Sequence, residues 1–292
     1  MPELPEVETV VRTLRPHVQG LTMLCARELK PCVLKGGRPL ASLEGAAVSG
    51  VRRRGKLALV ELARGEERLF LAVHLRMTGS LLAREGLAAA TPKALEALAG
   101  SRTRAVFGFA SGNSWPCTTA VRFDDVRTFG RILAGGEREL AAWPFWRTLG
   151  PEPLEMDAEA FRAAVRGRRR IKALLLDQKA IAGIGNIYAD ESLFAAGIHP
   201  ETPADSLCVE AKDRLFRSLR QVLERAVAEC GSSISDYRDA DGNPGAFQNS
   251  FAVYGRAGKA CLACGRSLVR IRVAGRSSVI CPHCQRKPRT RR

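Results

Sequence analysis

The chain has 292 residues, 46% of them hydrophobic, which suits two domains with sizeable cores and excludes a disordered polypeptide. Its 46 Lys and Arg against 30 Asp and Glu leave a formal charge of +16, so the favoured partner is a polyanion, nucleic acid before an anionic membrane. No apolar run approaches the roughly 20 residues that span a bilayer, and the acidic, proline-bearing N-terminus does not read as a signal peptide. The expected location is the cytoplasm, or the nucleoid of a bacterial cell. In that reducing setting the 9 cysteines do not suggest a disulfide framework. Cys25, Cys32, Cys117, Cys208 and Cys230 are scattered and read as buried apolar fillers or inert surface thiols.

Residues 5–14 predict a helix. Pro5 suits the first turn, Glu6 and Glu8 suit the positive end of the helix dipole, and Val7, Val10, Val11 and Leu14 share one face. From about residue 22 to 134 the pattern is β, with strands expected at 57–62, 69–75 and 105–109. Such a succession implies a sandwich or barrel. Residues 86–100 are Ala-rich and predict a short helical insertion. Residues 136–156, with Trp-Pro, Gly-Pro and Glu-Pro steps, predict an interdomain linker.

Beyond Asp157 the period becomes helical, with helices expected at 161–165, 171–180, 187–196 and 210–230. Gly183-Ile-Gly185 separates the second from the third by two tight turns. Residues 231–249 read as a loop, and residues 285–292 form a basic tail. The domains expected are therefore 1–135, 136–156 as linker, 157–249 and 250–292.

Two sequence features carry chemistry. Cys261-x-x-Cys264 and Cys281-x-x-Cys284 stand 16 residues apart, which supplies four thiolates from two knuckles and fits one structural, tetrahedral zinc rather than four free thiols. A β-hairpin is expected between the knuckles, as in a zinc ribbon. At the other end, removal of Met1 exposes Pro2, a secondary amine beside the Glu3 carboxyl. An α-amino group titrates near ~8, so a useful fraction is neutral and nucleophilic. Alone, Pro2, Glu3 and Glu6 read simply as a helix start.

The segments Pro2-Glu-Leu-Pro-Glu-Val-Glu-Thr9, Arg54-Gly-Lys56, His74-Leu-Arg-Met-Thr-Gly-Ser-Leu81, Asp177-Gln178, Ala182-Gly-Ile-Gly-Asn-Ile-Tyr188 and Val253-Tyr-Gly-Arg256 occur in one order. Together with the four cysteines they resemble the bacterial formamidopyrimidine-DNA glycosylase family over almost the whole chain. The related endonuclease VIII branch usually has Gly where this chain has Leu4. The resemblance implies an α+β multidomain protein. Its N-terminal β-sandwich carries a catalytic N-terminal helix, and a C-terminal helix-two-turn-helix domain carries a zinc ribbon. It implies a DNA repair enzyme, a bifunctional glycosylase and AP lyase acting on oxidised purines in double-stranded DNA, monomeric and holding one Zn²⁺.

The site residues follow by resemblance. Pro2 is the nucleophile, Glu3 the acid for the sugar ring oxygen, and Glu6 the support of the N-terminus. Lys56 and Arg276 contact phosphate and assist elimination. Met77, Arg127 and Phe129 match three side chains inserted into the base stack, although Met77 and Phe129 alone read as core. His74, Lys172 and Asn186 match DNA contacts, although alone they read as a strand-end core residue, an exposed helix charge and an N-cap. Residues 231–249 resemble a loop that caps a flipped purine. Two departures stand out. Thr128 replaces a common Arg beside Arg127, and Ser101-Arg-Thr-Arg104 stands where many members have His-x-His. The stretch 84–119 also looks longer than usual.

Overall fold

The computed structural model describes residues 1–31, 33–87, 91–234 and 236–287. The expectations for Cys32 and for tail residues 288–292 lie outside the described residues. The chain forms two compact units. One comprises Met1–Arg147 with Cys230–Ala246, the other Thr148–Glu229 with Phe247–Arg292.

The first unit opens with α1 (Leu4–Val18) and continues through β1 (Thr22–Glu28), β2 (Leu34–Gly37), β3 (Ala47–Arg54), β4 (Leu57–Arg64), β5 (Glu67–His74) and β6 (Gly79–Arg84). It then adds α2 (Pro92–Ala97), β7 (Thr103–Ala110), β8 (Thr119–Asp125), β9 (Arg131–Gly136), α3 (Glu137–Ala142) and α4 (Pro144–Arg147). The strands run in the order β2-β9-β5-β4-β3-β1-β7-β8-β6. The two halves of this sheet meet at one pairing, Thr22 with Ala47. Side chains of both halves enter a single core, Val51, Val60, Leu71 and Val73 from one and Phe107, Phe109, Val121 and Phe123 from the other. That shared interior is the expected sandwich.

Helix α1 lies on this core by Val7, Val10, Val11, Leu14 and Val18, each buried side chain contributing about 1.5–3 kcal/mol. It runs four residues beyond the expected end, through Pro16. A proline there forfeits one backbone bond, but Val18 is buried and His17 is held by Glu85 and Asp241, so packing overrides the breaker. The insertion contains α2, where Thr91 Oγ1 accepts from Ala94 N–H. Leu95 packs against Cys25, Cys117 and Ala120, so those two thiols are core fillers, while Cys208 and Cys230 are exposed. The segment expected as a linker contains α3 and α4.

The second unit contains α5 (Ala158–Ala164), α6 (Ile171–Leu175), α7 (Asn186–Ala195), α8 (Val209–Ala228) and the hairpin β10 (Val269–Val273) and β11 (Arg276–Ile280). Helix α6 is half the expected length. Gln178 reaches across the double turn instead, accepting from Gly183 N–H and donating to Leu176 O and Ile184 O. Residues 230–246 were expected with these helices but belong to the first unit. Their Tyr237 and Ala240 join its core, and Ala240 N–H donates to Thr13 Oγ1. Among the described residues no helix is long and apolar enough to cross a membrane.

Candidate active site and nucleic-acid interface

Pro2 and Glu3 are buried at the start of α1, while Met1 is 47% exposed. Glu3 N–H donates to Glu6 Oε2 at 2.8 Å, one arm of the reciprocal capping that a Glu at the third helical position provides. The other oxygen, Glu6 Oε1, accepts from Ser232 N–H at 2.7 Å and Ser232 Oγ at 2.9 Å. Tyr237 OH donates to Glu6 O at 3.1 Å. Gly231, in the left-handed region at φ +75°, presses on Glu6, and a Cβ there would stand 2.9 Å from Glu6 Cγ. Sequence reasoning gave Glu6 its supporting part. It missed Ser232 and Tyr237, because a contact more than 220 residues away leaves no local signal.

Lys56 follows Gly55 in the β3–β4 turn and is buried; Leu57 beside it pairs with His74 at the end of β5. His74 Nδ1 accepts from Arg76 N–H at 3.0 Å, and its ring meets Phe145 edge-on. Burial, then the cations Arg76, Lys56 and Arg131, push its pKa down to about 3, so the imidazole is neutral with its proton on Nε2.

The three residues expected in the base stack come from two neighbouring turns. Met77 is 45% exposed on the β5–β6 turn, and Phe129 is 55% exposed on the β8–β9 turn with exposed Arg127. Arg127 Nη1 reaches Met77 Sδ at 3.8 Å. Asp125, fully buried, ties the turns together. Its Oδ1 accepts from Thr78 Oγ1 and from Arg127 N–H, and its Oδ2 accepts from Gly130 N–H at 2.6 Å. Gly130 must be glycine here, since a Cβ would lie 2.4 Å from Phe123 Cζ. Asp125 also went unpredicted; only the folded register shows that one carboxylate reaches both turns.

In the second unit, Asn186 opens α7 and its Nδ2 donates to Ser277 O at 3.0 Å. Lys172 is not on the surface. It is 0% exposed, and its Nζ donates to Asp190 Oδ1 at 2.7 Å, to Ser277 O at 3.1 Å and to Ser278 Oγ. Both readings of Lys172, as a DNA contact and as an exposed charge, are therefore corrected: it is an interior anchor joining α6 and α7 to β11. Burial pushes Asp190 up to about 6 even beside this ammonium. Ala274 and Gly275 form the β10–β11 turn, both with positive φ, and leave Arg276 exposed next to it.

The Sγ atoms of Cys261, Cys264, Cys281 and Cys284 lie within 4.8 Å of one another, with 4.0 Å between Cys261 and Cys284 and 3.4 Å between Cys264 and Cys281. Tetrahedral zinc with bonds near 2.3 Å needs sulfur separations of about 3.8 Å. The donors fit one structural Zn²⁺, and four thiolates leave no open position for chemistry.

Residues 1–132 match the formamidopyrimidine-DNA glycosylase N-terminal domain, residues 149–238 the formamidopyrimidine-DNA glycosylase H2TH domain, and residues 258–286 a zinc finger found in FPG and IleRS. The formamidopyrimidine-DNA glycosylase of Nitratidesulfovibrio vulgaris is 50% identical over 246 residues, which is 84% of this chain and 63% of that relative's length. The crystal structure of the MutM (Fpg) protein from Thermus thermophilus is similar at TM-score 0.82 and 42% identity, over 97% of this chain and 98% of that one. A Lactococcus lactis Fpg mutant in complex with Fapy-dG-containing DNA is similar at TM-score 0.83 and 32% identity, over 98% and 100% of the two chains. With its sheet unit, its double-turn helical unit and its four-cysteine ribbon, the chain belongs to the formamidopyrimidine-DNA glycosylase family.

Proposed function

We infer that this chain is a DNA glycosylase of base excision repair with an associated AP lyase step, acting on oxidised purines in double-stranded DNA. The observation that carries the reading is the α1 terminus, where Pro2 and Glu3 sit side by side and the Glu6 carboxylate holds the Glu3 backbone. A binding protein has no use for an N-terminal amine placed next to an acid.

In the proposed reaction Met1 is removed and the Pro2 nitrogen lone pair attacks C1′ of the damaged nucleotide. The bond from C1′ to the base breaks, and its electron pair leaves with the base. The Pro2 N–H proton passes to the departing base, Glu3 gives its proton to the sugar ring oxygen as the ring opens, and Pro2 is left as an iminium. The iminium is an electron sink. Loss of a C2′ proton then expels the 3′ phosphate, and a second elimination expels the 5′ phosphate. Lys56 and Arg276 stabilise the phosphates that leave. Asn186 at the start of α7 suits phosphate binding, as does the Nε2–H of His74. Met77, Arg127 and Phe129 fill the gap left by the extruded base. Zn²⁺ holds the ribbon that presents Arg276 and takes no part in the chemistry. The family reading also implies a monomer in the cytoplasm.

Sodium borohydride reduces an iminium to a stable amine. Duplexes carrying 8-oxoguanine, a formamidopyrimidine or an oxidised pyrimidine therefore test both steps. A covalent complex strongest on the purine lesions supports the reading. Strongest trapping on the pyrimidine lesion would move the substrate to that class, and no trapping on any duplex would leave only DNA binding.

A further inference from the structure

The two departures of this chain from its family pattern meet in space. Arg104, near the start of β7, is buried and so is not itself available to DNA. Its Nη1 donates to Ser101 O at 3.0 Å, its Nη2 to Val126 O at 3.4 Å and its Nε to Thr128 Oγ1 at 3.2 Å. The guanidinium thus joins the loop before β7 to the β8–β9 turn, and a planar fork of donors suits it to bridging two fixed acceptors.

Thr128 is the central residue of that turn, between Arg127 and Phe129. Its φ is +57°, a left-handed conformation that a β-branched residue rarely adopts. Such a conformation persists only when its surroundings fix it. Asp125 takes the N–H groups of Arg127 and Gly130 on either side, but neither bond reaches Thr128 itself. Arg104 supplies the missing hold, through the Thr128 hydroxyl and the Val126 carbonyl.

We propose that Arg104 is a positioning residue for the inserted side chains: by binding Thr128 Oγ1 and Val126 O it fixes the β8–β9 turn so that Arg127 and Phe129 stand out together beside Met77. This inference rests on the proposed reading of the site as a DNA glycosylase.

The test compares two substrates on the full-length, zinc-loaded protein. Single-stranded DNA with an abasic site needs no insertion, since no opposite base must be displaced, whereas excision of 8-oxoguanine from a duplex does. Arg104→Ala and Thr128→Val are each expected to slow duplex excision by about tenfold, the effect of losing a hydrogen bond to a charged group. Borohydride trapping on the single strand stays at the wild-type rate. Thr128→Ser, which keeps the hydroxyl, stays within about twofold of wild type, and the double variant is no slower than either single one. Wild-type duplex excision by Arg104→Ala and Thr128→Val, or fully additive losses in the double variant, would overturn the inference. If Arg104→Ala does not fold, Thr128→Val decides alone, because it removes one hydroxyl. Failure of the wild type to trap on any damaged duplex would instead overturn the glycosylase reading.

Discussion

The two oxygens of Glu6 face different parts of the chain, Oε2 the Glu3 backbone and Oε1 Ser232. The helix start is thereby fixed while the Glu3 carboxyl keeps its own task, and that division predicts a split phenotype. Glu3→Gln is expected to lower 8-oxoguanine excision by roughly 10²–10⁴-fold. Cleavage at a preformed abasic site suffers much less, because that sugar is already open to attack and needs no ring protonation. Gel assays on the two substrates check this; equal losses would remove Glu3 from the acid role. Lys172 makes a different prediction, since Asp190 is buried against it. Lys172→Met leaves that carboxylate uncompensated and should destabilise the protein by about 3–5 kcal/mol in denaturant titration. A DNA-contacting lysine would instead leave stability unchanged and reduce the salt dependence of binding. His17 offers a pH test. Burial lowers its pKa, but hydrogen bonds to Glu85 and Asp241 outweigh that, and the net shift is upward. Its stabilising contribution is therefore complete below the unfolded value near ~6.5 and fades as pH rises through the higher folded value. His74 runs the opposite way, losing stability as pH falls from about 6.5 towards its folded value of about 3. The comparison is thus with His17→Gln: the wild type should melt higher at pH 6 and converge on the variant in alkali. A gap that persists unchanged in alkali would contradict the ion-paired His17.

At the scale of elements, the sequence is most legible where chemistry sits in short local patterns. The α1 face, the strands at 57–62 and 69–75, and both cysteine knuckles fall where the apolar period and the spacing put them. The misreadings have tertiary causes. Pro16 does not end α1 because His17 and Val18 have partners beyond it. Residues 230–246 carry no apolar period, yet they return to α1 through polar contacts to Glu6 and Thr13. Lys172 looks like any surface lysine until the Asp190 carboxylate appears beside it. The zinc ribbon is the element most dependent on something other than its own packing. Its core consists of Val253, Leu268 and Val279 around Cys261 and Cys281, too small to offset chain entropy alone. Chelation should release one zinc per chain and expose the β10–β11 amides to fast hydrogen exchange, while the β4 and β5 amides in the larger core remain protected. Protection of the hairpin after metal loss would contradict a metal-dependent fold.

At the scale of the molecule, the charge of +16 is the first indication of a nucleic-acid partner, but charge alone does not separate an enzyme from a binding protein. The resemblance across the chain supplies the catalytic assignments, whereas the long-range partners Ser232, Asp125 and Arg104 require the fold. Everything proposed for the reaction passes through Pro2. The most direct measurement is the intact mass of the purified protein before and after borohydride reduction with an 8-oxoguanine duplex, followed by mapping of the adduct. The account predicts a chain lacking Met1 that gains a DNA fragment on Pro2. A chain that forms no adduct, or carries it on a lysine side chain, would contradict it.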